Sequence, residues 1–181
     1  MAEPSEDLAE LVSELVSRET ENPPGNEEAA AEFVVDWFAE RGIDADRVEV
    51  PDPDRPQVGV TVGEGEPRLV LNGHIDVVPA GDRAEWSHDP YGAERDGADL
   101  YGRGSVDMKS GVAIGMLVTA ALADEVESGD LEGSLAFQAA MGEETAEPGT
   151  KSLLEEGYDG DYGVVLEPTD LRTATTEKGL A

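Results

Sequence analysis

The chain has 181 residues, with forty-two Asp plus Glu against twelve Lys plus Arg, for a formal net charge of −30. That charge excludes the basic face that nucleic acid or an anionic membrane would need, and an apolar fraction of 39% excludes a disordered acidic tail. The absence of cysteine excludes disulfide scaffolds, thiolate metal sites and thiol nucleophiles.

The acids are interleaved with apolar blocks along the whole chain, the pattern of a carboxylate surface kept hydrated in concentrated salt, as in extreme halophiles. No basic, apolar leader stands at Met1–Asp7, and the apolar run near Val112–Ala123 is too short to span a bilayer. The composition predicts a soluble, cytoplasmic chain with room for one domain.

In chain order, Ser5 is placed to cap a first helix whose stripe is Leu8, Leu11, Val12, Leu15 and Val16. Asn22-Pro23-Pro24-Gly25 breaks it. Asn26 is expected to cap a second helix with Ala30, Phe33, Val34, Trp37 and Phe38 facing the core, ended by Gly42. Strands are predicted at 47–50, 58–62 and 69–71, followed by a long loop from Pro79 to Asp99. A helix over 111–125, a buried strand over 134–140, a short helix over 151–156 and a strand over 162–166 complete the pattern. Alternating strands and helices predict an α/β layered sandwich around a mostly parallel or mixed sheet.

Four motifs carry polar chemistry. In Asn72-Gly73-His74-Ile75-Asp76 an apolar strand delivers an imidazole with a carboxylate two residues on, the pairing that fixes a metal-ligating ring. The same pair also fits a capped loop. Gly102-Arg103-Gly104-Ser105-Val106-Asp107-Met108-Lys109 leads into a helix, where Asp107 fits either a macrodipole acid or a carboxylate bridging two cations. Met141-Gly142-Glu143-Glu144 places two acids at the mouth of a buried strand, although so acidic a chain also yields such pairs by chance. Leu166-Glu167-Pro168 ends another apolar strand in a carboxylate, which could equally start a turn. The other histidine, His88, reads as a solvated loop residue. Ligand sites of open α/β sheets lie beyond the strands' carboxyl ends, so His74, Asp107, Glu143, Glu144 and Glu167 can share one rim.

The ordered motifs Gly-His-x-Asp, Gly-Arg-Gly-x-x-Asp-Met-Lys-x-Gly, Gly-Glu-Glu and Glu-Pro-Thr resemble the co-catalytic zinc hydrolases that include acetylornithine deacetylase, succinyl-diaminopimelate desuccinylase, aminoacylase and carboxypeptidase G. The resemblance implies a zinc-peptidase-like catalytic domain that cleaves an amide bond of N-acyl amino acids or of peptides with a free carboxylate. It implies two zinc ions, with cobalt or manganese as possible substitutes. His74 and Glu167 would hold the first, Glu144 the second, and Asp107 would bridge them. Glu143 would be the general base and Asp76 would orient His74. A cis peptide at Asp107-Met108 is implied as well.

A further histidine expected for the second metal, a lid and dimerisation domain, and the later catalytic segment have no counterpart in residues 1–181. The expectation is therefore an N-terminal part of a catalytic domain, with about one metal site nearly complete and little activity alone. The alternatives are a non-catalytic metal-binding remnant and one half of a split enzyme. A homodimer is expected only with the lid present.

Overall fold

The computed structural model describes residues 6–170, 172 and 173. Its elements in chain order are α1 (Glu6–Val16), α2 (Glu28–Ala39), β1 (Ala45–Val48), β2 (Gln57–Gly63), β3 (Arg68–His74), β4 (Glu94–Asp96), β5 (Asp99–Tyr101), α3 (Lys109–Glu127), β6 (Ser134–Ala140), α4 (Gly149–Leu153) and β7 (Tyr162–Val165). β1, β2, β6, β3 and β7 form one mixed sheet in that order, and β4 and β5 form a separate hairpin. β6 pairs antiparallel with β2 and parallel with β3, while β7 runs parallel to β3 along the edge. The expected layered α/β fold is what the chain adopts.

Strand β6 is buried along its whole length because both faces are covered. Leu135, Phe137 and Ala139 point into the main core with Val58, Val60, Val62 and Leu71, beneath α1, α2 and α3. Phe38 of α2 meets Phe137 at a ring-centroid distance of 5.6 Å, and both are fully buried. Each such side chain contributes about 1.5–3 kcal/mol on leaving water. The opposite face holds a smaller cluster of Val48, Ala140, Leu153 and Tyr158 beneath α4 and the turn after it.

Several local expectations need correction. Ser5 lies outside the described residues. Asn26 does not cap α2: its side-chain amide donates to the Glu19 carbonyl, and Glu27 occupies the capping position without a side-chain bond. Phe33 is only half-buried and packs under the Arg18 guanidinium. Gly42 does end α2, at φ 73°, with Ile43 N–H donating to the Phe38 carbonyl. The loop from Pro79 to Asp99 contains a short 3-10 turn and most of the β4–β5 hairpin. Glu21 anchors it, accepting bonds from the Tyr91 hydroxyl at 2.6 Å and the Ala80 N–H at 3.0 Å. Among the described residues no helix is long and apolar enough to cross a membrane.

Candidate metal centre

His74 ends β3, 3% exposed, at the carboxyl rim of the sheet. Its Nδ1 lies 2.9 Å from the main-chain oxygen of Asp76 and 3.4 Å from that residue's carboxylate. The nearer acceptor is thus the carbonyl rather than the carboxylate that sequence alone suggests. Either contact engages Nδ1 and leaves Nε2 to face the rim. There Nε2 stands 3.5 Å from Asp107 Oδ1, 3.7 Å from Glu143 Oε2 and 3.6 Å from Glu167 Oε1.

Each carboxylate arrives on a different support. Asp107 precedes α3 and is joined to Met108 by a cis peptide bond. The next residue, Lys109, is fully buried, and its ammonium donates to the carbonyls of Leu15 at 2.9 Å and Arg18 at 2.7 Å, closing the end of α1. Burial pushes that ammonium's pKa down to about 7. Glu167 follows β7, where the backbone continues the sheet through Leu166 N–H donating to the Asn72 carbonyl. Glu143 and Glu144 sit on a tight turn after β6.

The Asp76 carboxylate, fully buried, holds that turn. It accepts the main-chain N–H of Glu143 at 3.2 Å and of Glu144 at 3.1 Å. A third donor is the Asn22 side-chain amide at 2.9 Å, which also donates to Thr145 Oγ1 at 2.8 Å. Burial would raise the Asp76 carboxyl, but contacts with His74, Asn22 and the Glu144 N–H outweigh it and hold the carboxyl below its usual range. Asn22 is 2% exposed, whereas its sequence context marks only a helix break. Its one local signal was a polar amide ahead of two prolines.

The electrostatics are those of a site short of positive charge. Burial pulls the His74 imidazole down, yet Asp76, Glu167 and Glu143 together raise it to about 9. Burial, with Asp107 and Glu143 beside it, pushes the Glu167 carboxyl up to about 7 despite the opposing effect of His74. Glu144 is raised in the same way, first by burial and then by Asp107, while the Val78 N–H donates to it at 3.3 Å. His88 is remote from this chemistry. It is half-buried rather than solvated, stacked on Tyr101 at 4.0 Å with Nδ1 3.3 Å from Glu94.

The donor set suits a cation. Ligand atoms of His74, Asp107 and Glu167 lie within 4.8 Å of one another. A tetrahedral centre with bonds of about 2.0–2.1 Å separates its ligand atoms by about 3.3 Å. The Nε2 separations of 3.5 and 3.6 Å are close to that spacing. Beside these groups opens a cavity of about 370 Å³, lined also by Asn72, Glu143, Thr150 and Val165.

Residues 70–178 match the family described as Peptidase family M20/M25/M40. The chain is 34% identical over 173 residues to N-formyl-4-amino-5-aminomethyl-2-methylpyrimidine deformylase of Bacillus subtilis, covering 93% of this chain and 40% of that protein. It is 33% identical over 177 residues to a probable succinyl-diaminopimelate desuccinylase of Staphylococcus epidermidis, covering 96% of this chain and 42% of that protein. Among solved structures, the M20 family metallo-carboxypeptidase Sso-CP2 from Sulfolobus solfataricus shares the fold at a TM-score of 0.73 with 19% identity, over 90% of this chain and 37% of that one. The chain thus spans about two fifths of the length of the curated relatives it matches.

Proposed function

The chain belongs to peptidase family M20/M25/M40, a family of hydrolytic enzymes, and on that premise we propose that it forms the metal-binding rim of a two-metal amide hydrolase. The substrates would be N-acyl amino acids or peptides with a free carboxylate. The observation that carries the reading is the convergence of Asp107, Glu143 and Glu167 on the free nitrogen of His74, at 3.5, 3.7 and 3.6 Å. The share of its relatives' length that the chain spans supports reading it as the N-terminal part of such a catalytic domain.

His74, Asp107 and Glu167 would hold the first zinc, and Asp107 and Glu144 the second. When bound, such cations supply a Lewis acid for the scissile carbonyl and lower the pKa of water. Glu143, half-exposed beside them, takes the proton of the attacking water and returns it to the departing amine nitrogen as the C–N bond breaks. Asp76 holds the Glu143 backbone and the His74 ring in place for that transfer. Relatives named for removing formyl and succinyl groups support an acyl-amide substrate. The dispersed carboxylates of a chain at −30 support a protein that works in concentrated salt.

A metal-binding unit without turnover is the second reading. It is favoured by the described residues offering only the carboxylates of Asp107 and Glu144 for a second metal, with His88 engaged elsewhere. Zinc titration in high salt, followed by assay of N-acetylornithine and N-acetylmethionine, separates the two readings. One tight zinc lost in His74→Ala supports the site, and turnover abolished by Glu143→Ala supports the hydrolase. Zinc bound equally well by His74→Ala would overturn both.

A further inference from the structure

Outside the metal centre the most heavily built polar feature is a three-residue ion network on the far side of the acid-bearing turn. Glu27, at the start of α2, is a fully buried carboxylate. Arg55, in the loop between β1 and β2, meets it with two parallel bonds, Nε to Oε2 at 3.0 Å and Nη2 to Oε1 at 2.5 Å. The remaining arm of the same guanidinium, Nη1, donates to Glu147 Oε2 at 2.5 Å. A guanidinium is the group whose rigid fork can serve a bidentate partner and a second carboxylate together.

Glu147 belongs to the turn that carries Glu143 and Glu144. Its N–H donates to the Gly142 carbonyl at 2.8 Å, so that Gly142 to Glu147 forms a closed loop. Two glycines leave the room that the network occupies. A Cβ on Gly25 would stand 2.0 Å from Arg55 Nε, and one on Gly142 would stand 2.5 Å from Glu147 Oε2. Both glycines also hold positive φ, 94° and 74°. The turn is therefore gripped from two sides, by Asp76 and Asn22 within and by Arg55 without. With Glu143, Glu144 and Glu147 so close in sequence, the turn repels itself, and Arg55 supplies the cation that offsets this.

We propose that Arg55, anchored by Glu27, is a positioning residue that holds the Gly142–Glu147 turn through Glu147 and so sets where Glu143 and Glu144 stand. The inference rests on the reading of Glu143 as base and Glu144 as ligand for its consequence, but not for its test. A base must be held to a fraction of an ångström to work, and a closed turn pinned at both faces provides this.

Arg55→Gln leaves Glu27 buried without its cation and can unfold the protein, so the decisive variant is Glu147→Ala, which keeps the Arg55–Glu27 pair. Amide hydrogen exchange is followed residue by residue on the purified chain without metal, in high salt. The expected result is exchange about tenfold faster at the amides of Glu143, Glu144 and residue 147, with Ala136 to Gln138 of β6 within about twofold of the parent. Glu147→Gln keeps an acceptor for Arg55 and restores most of the protection. Unchanged exchange at Glu143 and Glu144, or equal acceleration in the turn and β6, overturns the proposal. A parent chain that binds no zinc would instead count against the proposed function, and the exchange comparison would still decide this one.

Discussion

Asn22 donates a 2.9 Å hydrogen bond to the Asp76 carboxylate from 54 residues away, tying the segment after α1 to the strand end that bears His74. Asn22→Ala removes one of the donors that stabilise the buried charge and frees Thr145 as well. Denaturant unfolding should show a loss of about 1–3 kcal/mol, and zinc affinity should fall about 10–100-fold. Asn22→Asp should be worse at neutral pH, because it sets a second carboxylate against Asp76, and should recover part of that loss in acid. An Asn22→Ala protein with parental zinc affinity would contradict the role given to Asp76.

Crowded carboxylates make the metal-free site a burden on the fold. Glu167, its side chain 35% exposed, has a carboxyl raised to about 7, so at pH 8 it is mostly ionised and carrying that charge in the folded state costs stability. Glu167→Gln should stabilise the metal-free protein at pH 8 by about 1–2 kcal/mol after allowance for solvent screening, while weakening zinc binding. Thermal unfolding with chelator and with zinc should give opposite signs.

Two buried cations give opposing pH dependences. His74, raised to about 9, contributes stability that is complete below pH 6.5 and lost as pH rises through 9. Lys109 is depressed to about 7, so the folded state holds its proton less well and stability rises with pH from about 7 toward 10.5. Each contributes at most about 3 kcal/mol over pH 7–9, and the two offset each other. Metal-free stability should be nearly flat there. Lys109→Met should expose the fall due to His74, on top of a loss of about 1–3 kcal/mol from the unpaired Leu15 and Arg18 carbonyls. Saturating zinc should remove the His74 contribution and leave stability rising with pH. A zinc-bound protein that loses stability over pH 7–9 would contradict the assignment of His74 as ligand.

Glu143→Ala should leave zinc binding within about threefold of the parent, since His74, Asp107 and Glu167 remain. In any preparation that turns over N-acyl amino acids, it should cut kcat by about 10²–10⁴ with little change in KM. Calorimetry and steady-state kinetics on the same sample check both halves.

Much of this arrangement was legible in the residues. The run Ser134–Ala140 matches β6 end to end because a strand buried on both faces reads as a nearly unbroken apolar block, interrupted here by Gln138. His74, Asp107 and Glu167, each at an element's end, meet as the motifs suggest. What escaped was long-range pairing. Nothing local marks Asn22 as the partner of Asp76, or Asp76 as the acceptor for the Glu143 N–H 67 residues on. Nor does an apolar block reveal that β2 runs antiparallel to β6. Asn26 had the composition of a cap but was drawn to the Glu19 carbonyl, since a side-chain amide bonds whichever main-chain group the turn presents.

The strand order also fixes a sequence of events in time. β2 and β3 follow one another along the chain, yet β6 separates them in the sheet, with Asn72 paired beside Gln138 66 residues later. On a ribosome, the segment bearing His74 must wait with an open edge until β6 emerges and is inserted between its neighbours. That single insertion also delivers the Glu143–Glu144 turn to Asp76. Only β7, which emerges later and pairs with the other edge of β3, then remains to bring Glu167, so a growing chain cannot hold metal there as the finished protein would before both strands arrive.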